Sequence, residues 1–402
     1  MPRLPLLRPI RLWCAGPGIS RHVTWLELFF DLIFVAAVAQ VASALAVDYS
    51  AVGVLRLAFM LLLIWWAWLG HTMFATRFDS DDVLQRVLTL VQIFAAAAMA
   101  ANAKSSFDSR DSAGFGAAYA VLRIVLVIQY LRARRLPETR EFTTAHAAGF
   151  GIAAALWGAA AFVPAPARFW MWAVALLVDL ATPWFAVHHT HKFPPDAEHL
   201  PERFGLFTII LLGESVASVM RGMESQEGWP VSAATSAILG MGICFALWWW
   251  YFDIARGAAE RHIRSQRDLV RFHLWSHIHF PLYLAIAVTC VGVEHIVSLA
   301  PGTHLHPEHV WIFVAAAFVL MACLTTIEAT ADLVPTRGGL ARRYLLCAAV
   351  LPLGLFAEVI PPCWLVIALA SLCVLQVFMP DGLSRSTSLD YREPLMSSSD
   401  PG

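Results

Sequence analysis

Residues 27–45 read ELFFDLIFVAAVAQVASAL, an apolar run whose only carboxylates are Glu27 and Asp31. A helix needs about 20 apolar residues to cross a bilayer, and this stretch with its flanks supplies them. Comparable runs recur from position 24 to position 380. The 402 residues are 59% hydrophobic and 14% charged, with a mean hydropathy of +0.64. An ordinary soluble domain carries roughly 25% charged residues, so most of this chain belongs in lipid. The reading is an all-α, polytopic transmembrane helical bundle. The formal net charge is −1 and no nucleic-acid motif occurs, which removes the basic field that nucleic-acid binding needs.

Hydropathy and turn residues together predict about twelve spans, near 24–47, 51–76, 83–104, 113–134, 141–163, 169–189, 202–221, 231–254, 272–299, 309–331, 342–360 and 361–380. Pro361 and Pro362 leave a tight connection before the last span, so eleven spans or a re-entrant hairpin is the alternative there. The basic residues test this count, because cytoplasmic loops are enriched in Lys and Arg. With the N-terminus inside, 22 of the 28 Lys and Arg fall on the cytoplasmic side, Arg203 and Arg343 among them. Four fall on the other side, and Arg56 and Arg123 lie within spans. Both termini are therefore expected in the cytoplasm, with the plasma membrane as the host. Residues 1–23 form a cytosolic segment cut by four prolines, without the unbroken apolar core of a signal peptide, so the first span is expected to remain as an anchor. Six spans over 24–189, a linker at 190–201, six spans over 202–380 and a Ser-rich disordered tail at 381–402 complete the expected organisation. Glu27, Phe29, Val41, Ala42 and Ser43 align without a gap on Glu202, Phe204, Val216, Ala217 and Ser218, as parallel six-helix repeats would.

Ionisable groups at membrane depth are costly, about 2.5–3.5 kcal/mol even on lenient scales, and are functional candidates by default. Arg123 and Asp179 fall near the midplane, Asp31 two turns in, and Glu214 three turns in, between Gly213 and Ser215. Glu27 shares a helix face with Asp31, and Glu202 sits at a cytosolic end, as do His71 and Glu328, where water or snorkelling would satisfy them. The functional reading makes these groups a polar pathway exchanging protons or binding cations. The structural reading makes Arg123 and Asp179 one buried ion pair and the acids glue between helices. Gly213 is expected to permit close backbone approach or a helix irregularity at Glu214. Two histidine clusters, His188, His189, His191 and His199, and His304, His306 and His309, lack a recognised metal-ligand spacing and read as interfacial loop residues. His273 and His277 share a helix face, but the Glu of a zinc-protease motif is absent. The Trp clusters at 65–68 and 248–250 read as an aromatic belt, and the seven scattered cysteines as small core residues. No cofactor, metal or nucleotide motif is present, and no enzyme activity is expected.

Four stretches, ELFFDLIFVAAVAQ (27–40), ERFGLFTIILLGES (202–215), LWWWYFD (247–253) and HFPLYLAIAVTCVGVEH (279–295), resemble the bacterial low temperature requirement A family in order and spacing. The resemblance covers roughly positions 20 to 380. It implies a multi-span membrane protein of unsettled activity, with Glu27, Phe30, Asp31, Glu202, Arg203, Gly205, Gly213, Glu214 and Ser215 on the family's motif positions. The expected function is a secondary transporter or channel-like permease for a small solute or ion, with Asp31 and Glu214 carrying the coupling. The alternative is a non-transporting protein, a lipid-modifying enzyme or an envelope factor supporting growth in the cold, in which the buried charges are structural.

Overall fold

A computed structural model of the chain describes all residues except 1–4, 14–22, 80, 104–111, 186–192, 227, 229, 264, 301, 332, 380–382 and 386–402. Among the described residues twelve α-helices follow one another: α1 Trp25–Val47, α2 Ala51–Ala75, α3 Val83–Asn102, α4 Ala113–Ala133, α5 Arg140–Ala160, α6 Ala167–Phe185, α7 His199–Glu224, α8 Val231–Trp249, α9 Gln266–Ser298, α10 Pro307–Ala329, α11 Arg337–Ala348 and α12 Pro362–Phe378. Nine candidate spans of sufficient length and apolarity to cross a membrane occur among the described residues, the ninth running from α11 through a 3₁₀ turn to Phe356. The other helices are α5 and α6, and α12, which has 17 residues. The bundle is therefore all-helical and multi-pass, with nine such spans where twelve were expected.

Helix starts are set by local chemistry. Thr24 and Glu27 form a reciprocal capping box on α1, and Ser50, Asp82, Ser265 and Thr336 each accept a backbone N–H in the first turn of the next helix. Helix α8 ends in a π turn over Trp250–Ile254. The reversal that follows uses Arg256 at φ 51°, and Gly257, where a Cβ would fall 2.3 Å from the Tyr251 ring. The chain then re-enters a helix at Gln266, six residues earlier than expected, so Arg267 and Arg271 belong to α9 rather than to a loop.

Two antiparallel ribbons tie chain ends to loops. Arg11–Leu12 pairs with Phe78–Asp79, and Leu333–Pro335 pairs with Leu383–Arg385. The segment expected to be a disordered tail thus begins with a short strand, because the 333–335 edge offers it backbone partners; positions 386–402 lie outside the described residues. Residue His199, assigned to the linker by sequence, opens α7. One hydrophobic core runs through both halves, from Phe30 and Trp68 to Phe204, Tyr283 and Leu365. A smaller cluster around Phe74, Tyr130, Phe142 and Phe150 closes one end of the first half.

Candidate functional site

The two motif stretches meet face to face. Asp31, on α1, is fully buried, and Arg203, in the first turns of α7, reaches it with a two-pronged grip: Nε donates to Oδ2 at 2.8 Å and Nη2 to Oδ1 at 2.5 Å. Trp68 of α2 donates its indole N–H to the same Oδ1 at 2.6 Å. One carboxylate therefore joins three helices, and a bidentate guanidinium–carboxylate pair is the strongest geometry available to such a bridge. One turn back, Glu27 Oε1 lies 3.4 Å from Arg203 Nη1 and 3.3 Å from His199 Nε2, while its Oε2 accepts from the Thr24 backbone and hydroxyl at 2.9 Å. Phe30 packs between the cluster and His71, its ring 5.9 Å from the Arg203 guanidinium carbon and 4.3 Å from the His71 ring.

Two acids, one guanidinium and two imidazoles thus share one buried pocket of charge. His199 is fully buried, and neither ring nitrogen meets a hydrogen-bond acceptor or donor in bonding geometry; His71 Nδ1 is in the same position. Such orphaned buried groups are rare, because each forgoes about 1–3 kcal/mol. The 3.3 Å approach of His199 Nε2 to Glu27 Oε1 sets an imidazole against the second carboxylate of the cluster.

Sequence reasoning placed Arg203 among the cytoplasmic loop charges and His71 among solvated end residues. Both are buried: Arg203 because α7 begins four residues before it and carries it into the α1 interface, and His71 because it lies within α2 with its ring against Phe30. The motif positions pointed to Arg203; charge counting alone missed it, and His199 and Trp68 had no signal beyond their residue types. Glu202 is half-buried beside Arg203 and adds to the negative charge around it. Glu328 and Arg343, also expected at solvated ends, form a second buried pair at 3.3 Å, closed by Gln376, which exchanges hydrogen bonds with Arg343 at 2.9 Å.

The structure does not bring Glu214 to Asp31. Eleven residues separate Glu214 from Arg203 along α7, about 16 Å of helix axis. Its side chain is 31% exposed and pairs with Arg221, two turns on, at 2.9 Å; Arg221 also approaches Glu294, which Ser218 bonds. Ser215 returns its hydroxyl to Leu211 O and does not join the acids. A Cβ at Gly213 would meet nothing within 4 Å, and α7 runs through it without a break, so the expected close approach is absent there. It occurs instead at Gly205, where a Cβ would lie 2.8 Å from the Ala258 methyl.

Arg123 and Asp179 do pair, at 2.7 Å and with both side chains buried. Tyr119 completes the triangle, its hydroxyl donating to Asp179 and accepting from Arg123 at 2.5 Å each. Gly70 makes room for the guanidinium, whose Nη1 is 2.9 Å from the position of a Cβ there. This pair joins α4 to α6 within the first half, whereas Asp31–Arg203 joins the two halves.

Of the histidines, His188, His189 and His191 lie outside the described residues. His309 sits 5.3 Å from His295 and 5.8 Å from His306, ring to ring, and no group of three His, Cys, Asp or Glu among the described residues could hold a metal ion. The six described cysteines are free thiols.

Bundled apolar helices with buried charge pairs between them define a multi-pass integral membrane protein. The chain belongs to the bacterial low temperature requirement A family, whose model matches residues 22–378. It is also similar to an uncharacterized protein of Rhizobium meliloti (strain 1021), 27% identical over 306 residues that cover 69% of this chain and 74% of the relative. No solved structure matches it.

Proposed function

We propose that the chain is a secondary transporter or channel-like permease in which the Glu27, Asp31, Arg203 and His199 cluster couples movement of a small solute or ion to a proton. The observation that carries this reading is the burial of Asp31 and Arg203 against each other across the contact between the two halves. A fixed glue needs only packing and hydrogen bonds. A guanidinium shared by two carboxylates, with an imidazole beside the second, can change partners as one proton enters or leaves. Such a change acts on the helices that a rocking of one half against the other would have to separate. With all twelve helices taken as crossings, the orientation that fits the basic residues has both termini in the cytoplasm of a plasma-membrane protein and the buried cluster nearer the inner face. Glu214 and the Arg123–Asp179 pair are supporting charges on this reading: the first is partly exposed and already paired, and the second lies within one half.

The full bonding of Asp31 favours one rival, a purely structural knot in a non-transporting protein. The experiment compares Asp31→Asn, Glu27→Gln and Arg203→Gln with the parent chain reconstituted in liposomes under an imposed pH gradient, with a pH-sensitive dye inside. Protein-dependent proton flux that disappears in each variant, compared at equal amounts of folded, reconstituted protein, is the expected result. Flux retained by all three folded variants would leave the structural knot as the account.

A further inference from the structure

A second polar site lies away from this cluster. A cavity of about 380 Å³ opens where α2, α4, α5 and α6 of the first half face the N-terminal turns of α9. That size falls at the small end of the roughly 300–1,000 Å³ of small-molecule sites. Trp66, Phe150 and Phe272 give it aromatic walls, and Arg77, Tyr130 and His277 give it polar edges. No Asp or Glu stands among the described lining residues.

Arg77 is 7% exposed. Its Nε donates to Phe193 O at 2.9 Å and its Nη1 to Met73 O at 2.8 Å, so backbone carbonyls fix the guanidinium without neutralising it. Burial pulls its pKa below the ordinary guanidinium value, with Tyr130 drawing weakly the other way, yet a guanidinium keeps its proton under such a pull. Tyr130 packs its ring on Phe74 and His146, and no described residue hydrogen-bonds its hydroxyl. A buried cation held by neutral oxygens, beside a phenol with a proton to donate and apolar walls beyond, is complementary to one chemistry: an anionic head on a flat apolar body.

We propose that this cavity is a binding site for a small aromatic carboxylate, with the carboxylate on Arg77 Nη2 and the Tyr130 hydroxyl and the ring between Trp66, Phe150 and Phe272. A cationic solute would meet Arg77 with no counter-charge, and a neutral one would leave the cation unpaired. The site stands whether or not the chain transports, since it needs only the geometry of α2, α4 and α9.

The test is calorimetric titration of the full chain in nanodiscs with naphthalene-2-carboxylate and with the neutral naphthalene-2-carboxamide, empty nanodiscs serving as the blank. Saturable binding of the acid is expected at one site per chain, with the amide at least tenfold weaker. Arg77→Gln should weaken the acid at least tenfold and leave the amide unchanged. Tyr130→Phe, which removes no hydrogen bond among the described residues, should weaken the acid severalfold and keeps the test decisive where Arg77→Gln lowers the unfolding midpoint. Met73→Trp, which fills the cavity, should abolish both. Equal affinity for acid and amide, absence of saturable binding to the parent chain, or full binding by Met73→Trp would each overturn the proposal.

Discussion

Removing one member of the Asp31–Arg203 pair should cost far more than removing both. In Asp31→Leu the guanidinium stays buried with Glu27 at 3.4 Å as its remaining carboxylate, and the Trp68 indole N–H loses its acceptor at 2.6 Å. Breaking a buried pair on one side costs about 3–5 kcal/mol, because an uncompensated charge remains. Arg203→Met carries the reciprocal cost at Asp31. The double variant leaves neither charge and fills similar volume, so its loss should be close to that of one single variant or smaller. The coupling energy from the cycle is therefore expected at about 3 kcal/mol or more. Three neutral interhelical hydrogen bonds, at an average near 0.6 kcal/mol each in membranes, would give about 2 kcal/mol at most. Reversible SDS unfolding of the four proteins in mixed micelles, followed by tryptophan fluorescence, measures the cycle. Additive losses, with coupling below about 1 kcal/mol, would show that the two charges do not depend on one another and would refute the reading of the site as a coupled pair.

Gly205→Val should destabilise by about 2–3 kcal/mol through overpacking against Ala258 and Phe252, while Gly213→Ala should be neutral or stabilise by up to about 1 kcal/mol, since its Cβ meets open space; the same SDS titration separates them. Asp82 caps α3, where burial alone would raise its pKa, but backbone N–H groups of Arg8 and Gln85 and the Arg132 guanidinium at 2.6 Å prevail and hold it below the usual carboxylate range. Its stabilisation is present above the unfolded carboxylate pKa, near 3.9, and is lost as pH falls through the lower folded value. The parent should accordingly lose thermal stability below about pH 4 more steeply than Asp82→Asn, and parallel acid limbs in a thermal melt series would contradict this. For topology, Ser265→Cys in a cysteine-free background should resist an impermeant thiol reagent in intact cells and label after lysis; rapid labelling of intact cells would reverse the proposed orientation.

Much of this molecule follows from one-dimensional facts. Apolar runs near 20 residues, punctuated by Thr24, Ser50, Asp82 and Ser265, determine helices and their starts, because a chain in lipid must satisfy its backbone within the helix. The acids at 31 and 179 were visible as costly charges at depth, Glu27 as sharing a helix face with Asp31, and Arg123 with Asp179 as a pair. What hydropathy could not supply is rotation and partner. Whether Arg203 points to solvent or to Asp31 depends on where α7 starts and how α7 packs on α1, 172 residues away in sequence. Glu214 looked equivalent to Asp31 by depth, yet its helix face is partly exposed and its charge is met by Arg221. Glycine likewise has no meaning until a neighbour is placed: Gly205 is crowded and Gly213 is open on the same helix. Depth is a property of position along one helix, whereas pairing is a property of the contact between two. The sequence by itself settled the first, and only the packed bundle decided the second.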